Sequence, residues 1–293
     1  MADALATFQE HRPRLFGIAY RMLGTATEAD DVLQDAWLRW QGADSDAVRE
    51  PGAFLATTVT RLAINELSSA RARREQYVGP WLPEPIGTLD DPTLGAERAE
   101  ALELGVLLLL ERLTPAERAA FVLHEAFDYP YRQIAEILET SEANARQLGT
   151  RARAHLDRER GVVVPAAERD RLVAAFTAAA ESGDVAGLAA LLAGDVVSLS
   201  DGGGIASAAR RPVAGRLKVA ALLLGLALKH GRALRVEPVV ANGQPAAFMW
   251  RSGVPDTLLT LDAGPDGIRR VFMVRNPQKL ERLAVTFPEP ARS

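Results

Sequence analysis

The chain has 293 residues, 48% of them hydrophobic and 25% charged, with a formal net charge of −4 and no cysteine. The length predicts two or three domains, and the missing cysteines exclude disulfides, thiolate nucleophiles and cysteine metal sites while fitting a reducing cytoplasm. A pI near 5.7 argues against strong autonomous DNA binding, because phosphate neutralisation supplies much of that affinity; it leaves open a subunit that reads DNA while a larger partner supplies the grip.

The four histidines (His11, His124, His155 and His230) are scattered, so no metal site is expected. No cofactor is expected either. The N-terminus, MADALATFQEHRPRLF, lacks an apolar signal core. The most apolar stretches, Leu104–Leu110 and Val219–Leu228, are too short to span a bilayer. The expectation is a cytoplasmic protein with no membrane partner.

Along the first 75 or so residues, apolar side chains recur at helical spacing. Leu15, Ile18, Ala19 and Met22 form one stripe; Val32, Leu33, Ala36, Trp37 and Trp40 form another. Gly24 and Thr25 separate the two, and Thr27, three residues before Asp30, reads as the second helix start. GADSDAVREPG is a loop closed by Pro51 and Gly52. A third helix carries Phe54, Leu55, Val59, Leu62, Ala63 and Leu67, and ends in the basic run of residues 68–74.

Residues 79–95, GPWLPEPIGTLDDPTLG, hold four prolines and three glycines, a linker composition. Trp81 is out of place in a free linker and should dock. Helical periodicity returns from Ala96 to Arg160, with Thr114-Pro115 and Glu117 marking a helix start. Beyond Gly161, helices over Ala166–Ser182 and Val185–Ala193 lead to a strand around Val196–Ser200 and a turn at Asp201-Gly202-Gly203-Gly204. A helix over Val219–Lys229 follows. Strands over Leu234–Val240, Ala246–Arg251, Thr257–Leu261 and Ile268–Val274 are split by Asn242-Gly243, Ser252-Gly253 and Gly264–Gly267. Helices followed by a meander predict an α+β domain, its helices covering one face of a curved sheet.

Two segments carry chemistry. Residues 131–155, YRQIAEILETSEANARQLGTRARAH, have the pattern of a helix-turn-helix. Ile134, Ala135 and Leu138 bury the first helix, and Ser141 caps a second that packs through Ala145, Leu148 and Ala152. Glu142, Asn144, Arg146, Gln147, Arg151 and Arg153 are left on its outer face, able to reach base edges and phosphates. The bland alternative is a solvated hairpin face. Earlier, DDVLQDAWLRW (residues 30–40) sets carboxylates and an amide opposite aromatics on one helix.

That second segment resembles conserved region 2.2 of sigma factors, the helix that docks on the clamp coiled coil of RNA polymerase. Residues 51–74 resemble regions 2.3–2.4, which melt and read the −10 element, and residues 111–155 resemble region 4, which reads the −35 element. The order is that of the extracytoplasmic-function group, and the resemblance covers roughly residues 5–158. It implies core RNA polymerase (the β and β′ subunits) and promoter DNA as partners. Asp30, Asp31, Gln34, Asp35, Trp37 and Arg39 would contact the polymerase. Arg61, Asn65, Arg71, Arg73 and Arg74 would serve the −10 element, with the loop Ala43–Arg49 accepting a flipped base. Ser141, Asn144, Arg146, Gln147, Arg151 and Arg153 would serve the −35 element. Gly149-Thr150 departs from the more basic or Ser-rich sequence usual there.

The last 130 or so residues resemble the SnoaL-like, NTF2-like cone. No tyrosine lies beyond Tyr131, and neither His230 nor Asp201 has an acid/base partner in the sequence, so catalysis is not expected. Three motifs resemble the sigma subgroup labelled ECF41, in which a SnoaL-like domain is fused to the sigma core: Trp81-Leu82-Pro83-Glu84-Pro85, Asp201-Gly202-Gly203-Gly204 and Asn276-Pro277-Gln278-Lys279-Leu280. The last departs mildly from the usual Asn-Pro-Asp-Lys-Leu, and Ile205 stands where a basic residue is common. The resemblance implies a regulator acting in cis, the linker packing on the extension, and a candidate small-molecule ligand in the cone.

The expected organisation is therefore two all-α sigma domains, region 2 over 1–78 and region 4 over 99–161, joined by a linker over 79–98. An α+β SnoaL/NTF2-like domain over 162–293 completes the chain. The expected function is a sigma factor rather than an enzyme. A one-component, ligand-sensing helix-turn-helix regulator is the alternative, and a polyketide-type cyclase the third reading.

Overall fold

Helix α1 (Ala2–Leu23) buries the stripe expected of it: Leu15, Ile18, Ala19 and Met22 are at most 1% exposed. The computed structural model describes residues 2–44, 48–87, 102–160, 164–230 and 234–289. Residues 45–47 of the expected base-accepting loop, residues 88–98 of the linker and Gly161 lie outside the described residues. The chain divides into two units, one of Met1–Gln76 with Asp91–Glu159, the other of Tyr77–Asp90 with Arg160–Ser293.

In the first unit, Gly24 (φ +75°) turns the chain out of α1. Thr25, not Thr27, caps α2 (Ala26–Gln41). Only Thr25 has the extended backbone a cap needs, and its hydroxyl oxygen accepts from the Glu28 N–H. Pro51 opens α3 (Pro51–Glu75) rather than closing the loop before it. Its fixed φ suits a first helical turn, where the missing N–H has no partner to lose. The three helices pack pairwise, and Trp40, 1% exposed, donates its indole N–H to the Ala4 carbonyl at 2.9 Å.

Helices α4 (Leu104–Leu110), α5 (Pro115–Phe121), α6 (Tyr131–Ile137) and α7 (Glu142–Arg160) complete this unit. Thr114 and Glu117 form the reciprocal capping box that their spacing predicts. A π-helical turn, Val122–Ala126, follows α5 and presents Phe127 to α1. There Arg14 and Arg21 lie 5.4 and 5.0 Å from the Phe127 ring centroid, and Gly17 leaves room for its edge.

In the second unit, α8 (Ala166–Ser182) and α9 (Val185–Leu191) precede β1 (Leu192–Asp201) and β2 (Val213–Ala214). Next come α10 (Arg216–His230), β3 (Leu234–Ala241), β4 (Gln244–Arg251), β5 (Val254–Gly264) and β6 (Gly267–Val274). The sheet order is β2-β1-β6-β5-β4-β3. β3 to β6 form the expected antiparallel meander, and β1 joins its β6 edge in parallel. Asn242-Gly243 and Ser252-Gly253 take positive φ at both positions, the turn that matches strand twist.

Val196, Ala247, Leu259, Leu261, Val271 and Met273 share a core with Phe176, Leu188, Val219 and Leu223 of the helices. The alternate strand residues Phe248, Leu258, Phe272 and Val274 are buried too, so the second face is also covered. Helix α11 (Pro277–Thr286) packs against β5 with Leu280 and Leu283 fully buried, and the segment before Gly87 adds Leu82 and Ile86. Helix α11 is an addition to the elements expected. Its signal was Asn276 at the N-cap with Pro277 behind it.

Candidate functional site

The α2 face behaves as its pattern predicts. Asp31, Gln34, Asp35 and Arg39 are exposed; Asp30 is half-buried and accepts from Arg12 at 2.8 Å. Trp37 is half-buried against Phe8, ring centroids 5.1 Å apart. The helix therefore offers a fixed acidic and amide edge beside one partly open aromatic, an arrangement suited to a polar protein partner.

The basic stretch of α3 is less free than its sequence suggests. Asn65 and Arg71 are exposed. Arg73 bridges Glu28 and Glu66. Arg74 turns inward, 13% exposed, onto Glu111, Glu28 and the Leu23 carbonyl. Arg61 donates to the carbonyls of Ile137 (2.9 Å) and Glu136 (3.1 Å) and pairs with Glu139 at 2.9 Å. Glu139 holds a positive φ of 52° in the turn between α6 and α7. Arg61, one of four arginines expected at the −10 element, is thus occupied by the turn of the expected −35 reader.

In the helix-turn-helix, Ile134, Ala135, Ala145, Leu148 and Ala152 are buried, and Ser141 accepts from the Asn144 N–H at 3.2 Å. Ser141, Asn144, Arg146, Gln147, Arg151 and Arg153 are all exposed. Arg146 lies over the Tyr131 ring, 4.9 Å from its centroid, and pairs with Glu142; Arg151 pairs with Glu117, and Arg153 with Glu125. Such exposed pairs are weak, so DNA phosphate can displace them. Gly149 has a packing reason: a Cβ there would sit 2.7 Å from the Tyr131 hydroxyl. Gly149→Ala should cost about 1–3 kcal/mol by overpacking, measured by urea unfolding of the full chain; an unchanged midpoint would show that Tyr131 swings away freely.

The three motifs of the linker and extension meet at one place in the second unit. Asp201 is fully buried. Its carboxylate accepts from the Tyr77 hydroxyl (2.6 Å), the Leu82 N–H (2.9 Å), the Gly203 N–H (3.1 Å) and the Lys279 ammonium (2.7 Å). Lys279 also donates to the Leu82 carbonyl and lies 4.5 Å from the Trp81 ring centroid and 4.9 Å from that of Tyr77. Asn276 caps α11 with its carbonyl oxygen and donates its amide to the Tyr77 hydroxyl at 2.8 Å.

Glycine is required where this joint closes. Gly203 (φ +61°) would push a Cβ to 2.4 Å from Asn276, and Gly202 would meet the Ala206 carbonyl at 2.3 Å. Pro83, Glu84, Pro85 and Ile86 are buried with Leu82; Pro277, which opens α11, is exposed, while Leu280 one turn on is fully buried. Ile86 exchanges hydrogen bonds with Asn242 at 2.9 and 3.2 Å, and Gly87 bridges to Ala241. Ile205 is 58% exposed.

Sequence reasoning missed Tyr77 and Asn242, because a tyrosine ending a helix and an asparagine in a hairpin turn look ordinary locally. Burial pushes the Tyr77 phenol up from its usual range, the hydrogen bond and charge of Asp201 push the same way, and the Asn276 amide opposes. Tyr77 therefore stays a donor. The joint is a buried ion pair wrapped by two aromatic rings, and it clamps Tyr77–Gly87 onto the unit.

The same unit holds a cavity of about 520 Å3 between α8, α10 and the sheet, lined mostly by Leu, Met, Ala and Phe, with Asp256, Thr257 and Arg275 at one side. Among the described residues, no helix is long and apolar enough to cross a membrane.

Sigma-70 region 2 matches residues 7–73 and Sigma-70, region 4 matches residues 104–156. The chain is 38% identical over 272 residues to the ECF RNA polymerase sigma factor SigJ of Mycobacterium tuberculosis, covering 90% of this chain and 84% of the relative. It is 31% identical over 286 residues to the probable ECF RNA polymerase sigma factor SigI of the same species, covering 95% of each. The crystal structure of Mycobacterium tuberculosis SigJ superposes with a TM-score of 0.77 at 34% identity, covering 94% of this chain and 98% of that one. The polymerase-independent regulator and the cyclase are therefore set aside. With both sigma regions matched in order and a relative 38% identical along nine-tenths of this chain, the chain belongs to the extracytoplasmic-function RNA polymerase sigma factors, which bind core polymerase and promoter DNA to direct transcription initiation.

Proposed function

We propose that the C-terminal SnoaL-like domain modulates this sigma factor in cis by holding or releasing the segment Tyr77–Gly87. The carrying observation is the buried joint of Asp201 and Lys279 around Trp81 and Leu82. That segment lies on the covalent path between regions 2 and 4. Its eleven residues are worth up to about 37 Å of extended chain, which is withheld while the segment is clamped.

Length matters because the −10 and −35 elements lie roughly 25 base pairs apart, about 85 Å of duplex at 3.4 Å per step. Arg61 in contact with Glu139 cannot serve the −10 element while α7 serves the −35 element. Regions 2 and 4 must part, and a longer free tether favours parting. A change at the joint shifts the population between held and released chains only to the extent that it favours one of them.

In this reading the α2 face (Asp30, Asp31, Gln34, Asp35, Trp37, Arg39) docks on the β′ clamp, with β contacted elsewhere. Arg61, Asn65, Arg71 and Arg73 serve the −10 element, and Arg74 positions α3 from within. The exposed α7 side chains from Ser141 to Arg153 serve the −35 element. The compartment is the cytoplasm, where core polymerase resides, and a small molecule in the cone is the candidate signal.

The test is run-off transcription with core RNA polymerase, comparing the full chain with Trp81→Ala. Losing the contact with Lys279 removes about 0.5–2 kcal/mol, which shifts a held–released equilibrium roughly two- to thirtyfold. Promoter-specific transcript should rise accordingly. Unchanged output at matched folding would sink the clamp, and lower output would mean that the held form is the one that engages the promoter.

A further inference from the structure

The cone keeps a cleft of about 520 Å3 that is partly open to solvent, inside the size range of small-molecule sites. Leu223, Leu224, Ala247, Met249 and Leu259 give it an apolar wall, and among the described residues that line it Asp256 and Arg275 carry charge. Both are under 10% exposed.

The charges at that polar end do not balance. Arg275 donates through Nε to the Thr257 hydroxyl (3.1 Å), through Nη2 to Asp256 (3.2 Å), and to the Ser207 carbonyl. Asp256 also pairs with Arg251 at 2.7 Å from outside the cavity. Two guanidinium groups thus share one carboxylate: Arg275 is buried and Arg251 reaches solvent, its side chain 45% exposed. That end of the cavity therefore carries a net positive charge, and a guanidinium matches a carboxylate by geometry as well as sign.

We propose that the cone binds an amphiphilic monoanion, a carboxylate on an apolar chain or ring, with its head at Arg275 and its tail along Leu224, Met249 and Leu259. This rests on the reading that the cone receives the regulatory ligand, and gives that ligand its chemistry. The site lies one peptide from the joint. The Arg275 N–H donates to the Asp201 carbonyl at 2.7 Å, and the next residue, Asn276, holds Tyr77 and caps α11. A head group that moves Arg275 acts directly on the clamp over Tyr77–Gly87.

The experiment is calorimetric titration of the full chain with decanoate, decanol and decyltrimethylammonium, with no polymerase or promoter present. Its failure is therefore separate from failure of the transcription test. Decanoate should bind about tenfold tighter than decanol, and the cation should not bind. Equal affinities, or no binding of decanoate, overturn the proposal. Arg251→Gln, at a side chain 45% exposed and outside the cavity, should abolish the preference for decanoate over decanol while leaving decanol binding unchanged; a retained preference removes the charge argument. Photo-cross-linking of the unaltered chain with a diazirine-bearing decanoate should label peptides containing residues 223–228 or 247–249, and labelling confined elsewhere overturns the location.

Discussion

Asp201→Ala is expected to destabilise the C-terminal unit by about 3–5 kcal/mol, the cost of stripping one partner from a buried ion pair. Asp201 is fully buried and the Lys279 side chain only 10% exposed, so the orphaned ammonium cannot hydrate without opening the joint. Tyr77, Leu82 N–H and Gly203 N–H lose their shared acceptor at the same time. The two aromatic rings still flank the ammonium, and this offsets part of the loss. Urea unfolding followed by circular dichroism measures the effect. The double variant Asp201→Asn with Lys279→Met should be less destabilised than the two single changes added together, because the pair is coupled. A loss below about 1 kcal/mol for Asp201→Ala would show that the joint is solvated and too weak to clamp the linker.

Glu111→Ala should cost a comparable amount, about 3–5 kcal/mol, in the N-terminal unit. Glu111 sits between Arg74 of region 2 and Arg118 of region 4, with side-chain exposures of 13% and 3% for the two arginines. Both guanidiniums also cap carbonyls at the end of α1: Arg118 donates to Met22 at 2.6 Å, and Arg74 to Leu23. Burial pulls Arg118 below its ordinary range, and the charge and hydrogen bond of Glu111 work against that pull. Without Glu111, two cations face each other in a low-dielectric site. The expected result is a lowered urea midpoint together with weaker association of regions 2 and 4, visible as faster proteolysis between them. A Glu111→Ala chain as stable as the parent would mean that the α1 carbonyls, with Glu28 on Arg74, suffice to hold both arginines.

These two clusters show which parts of the molecule local sequence could describe. The helix-turn-helix was legible because everything that builds it lies within 25 residues: the apolar period, Ser141 as cap, and the outward Asn144, Arg146 and Gln147. The Thr114 capping box was legible for the same reason. The start of α2 moved from Thr27 to Thr25 because the cap goes to the residue whose backbone is extended, and Gly24 set that two positions earlier. Arg74 read as part of the basic run expected to serve the −10 element. It faces inward because carbonyls and a carboxylate from distant segments meet it there.

The joint shows the division most clearly. Trp81 in a proline-rich stretch announced that the stretch docks, and the glycines after Asp201 announced a tight turn. Neither announced the other. Tyr77 and Asp201 are 124 residues apart, Asp201 and Lys279 78 apart, and Tyr77 and Asn276 199 apart. Contacts at that separation leave no periodic trace, because each end obeys only its own local rules: a helix end, a strand end, a helix cap. By itself the sequence determined the family, the order of the sigma helices and the meander, all consequences of short-range spacing and turn chemistry. The tertiary structure alone decided which charges are buried together. That choice depends on the low-dielectric interior that folding creates, where an unpaired ion is costly and a paired one becomes a fixed joint.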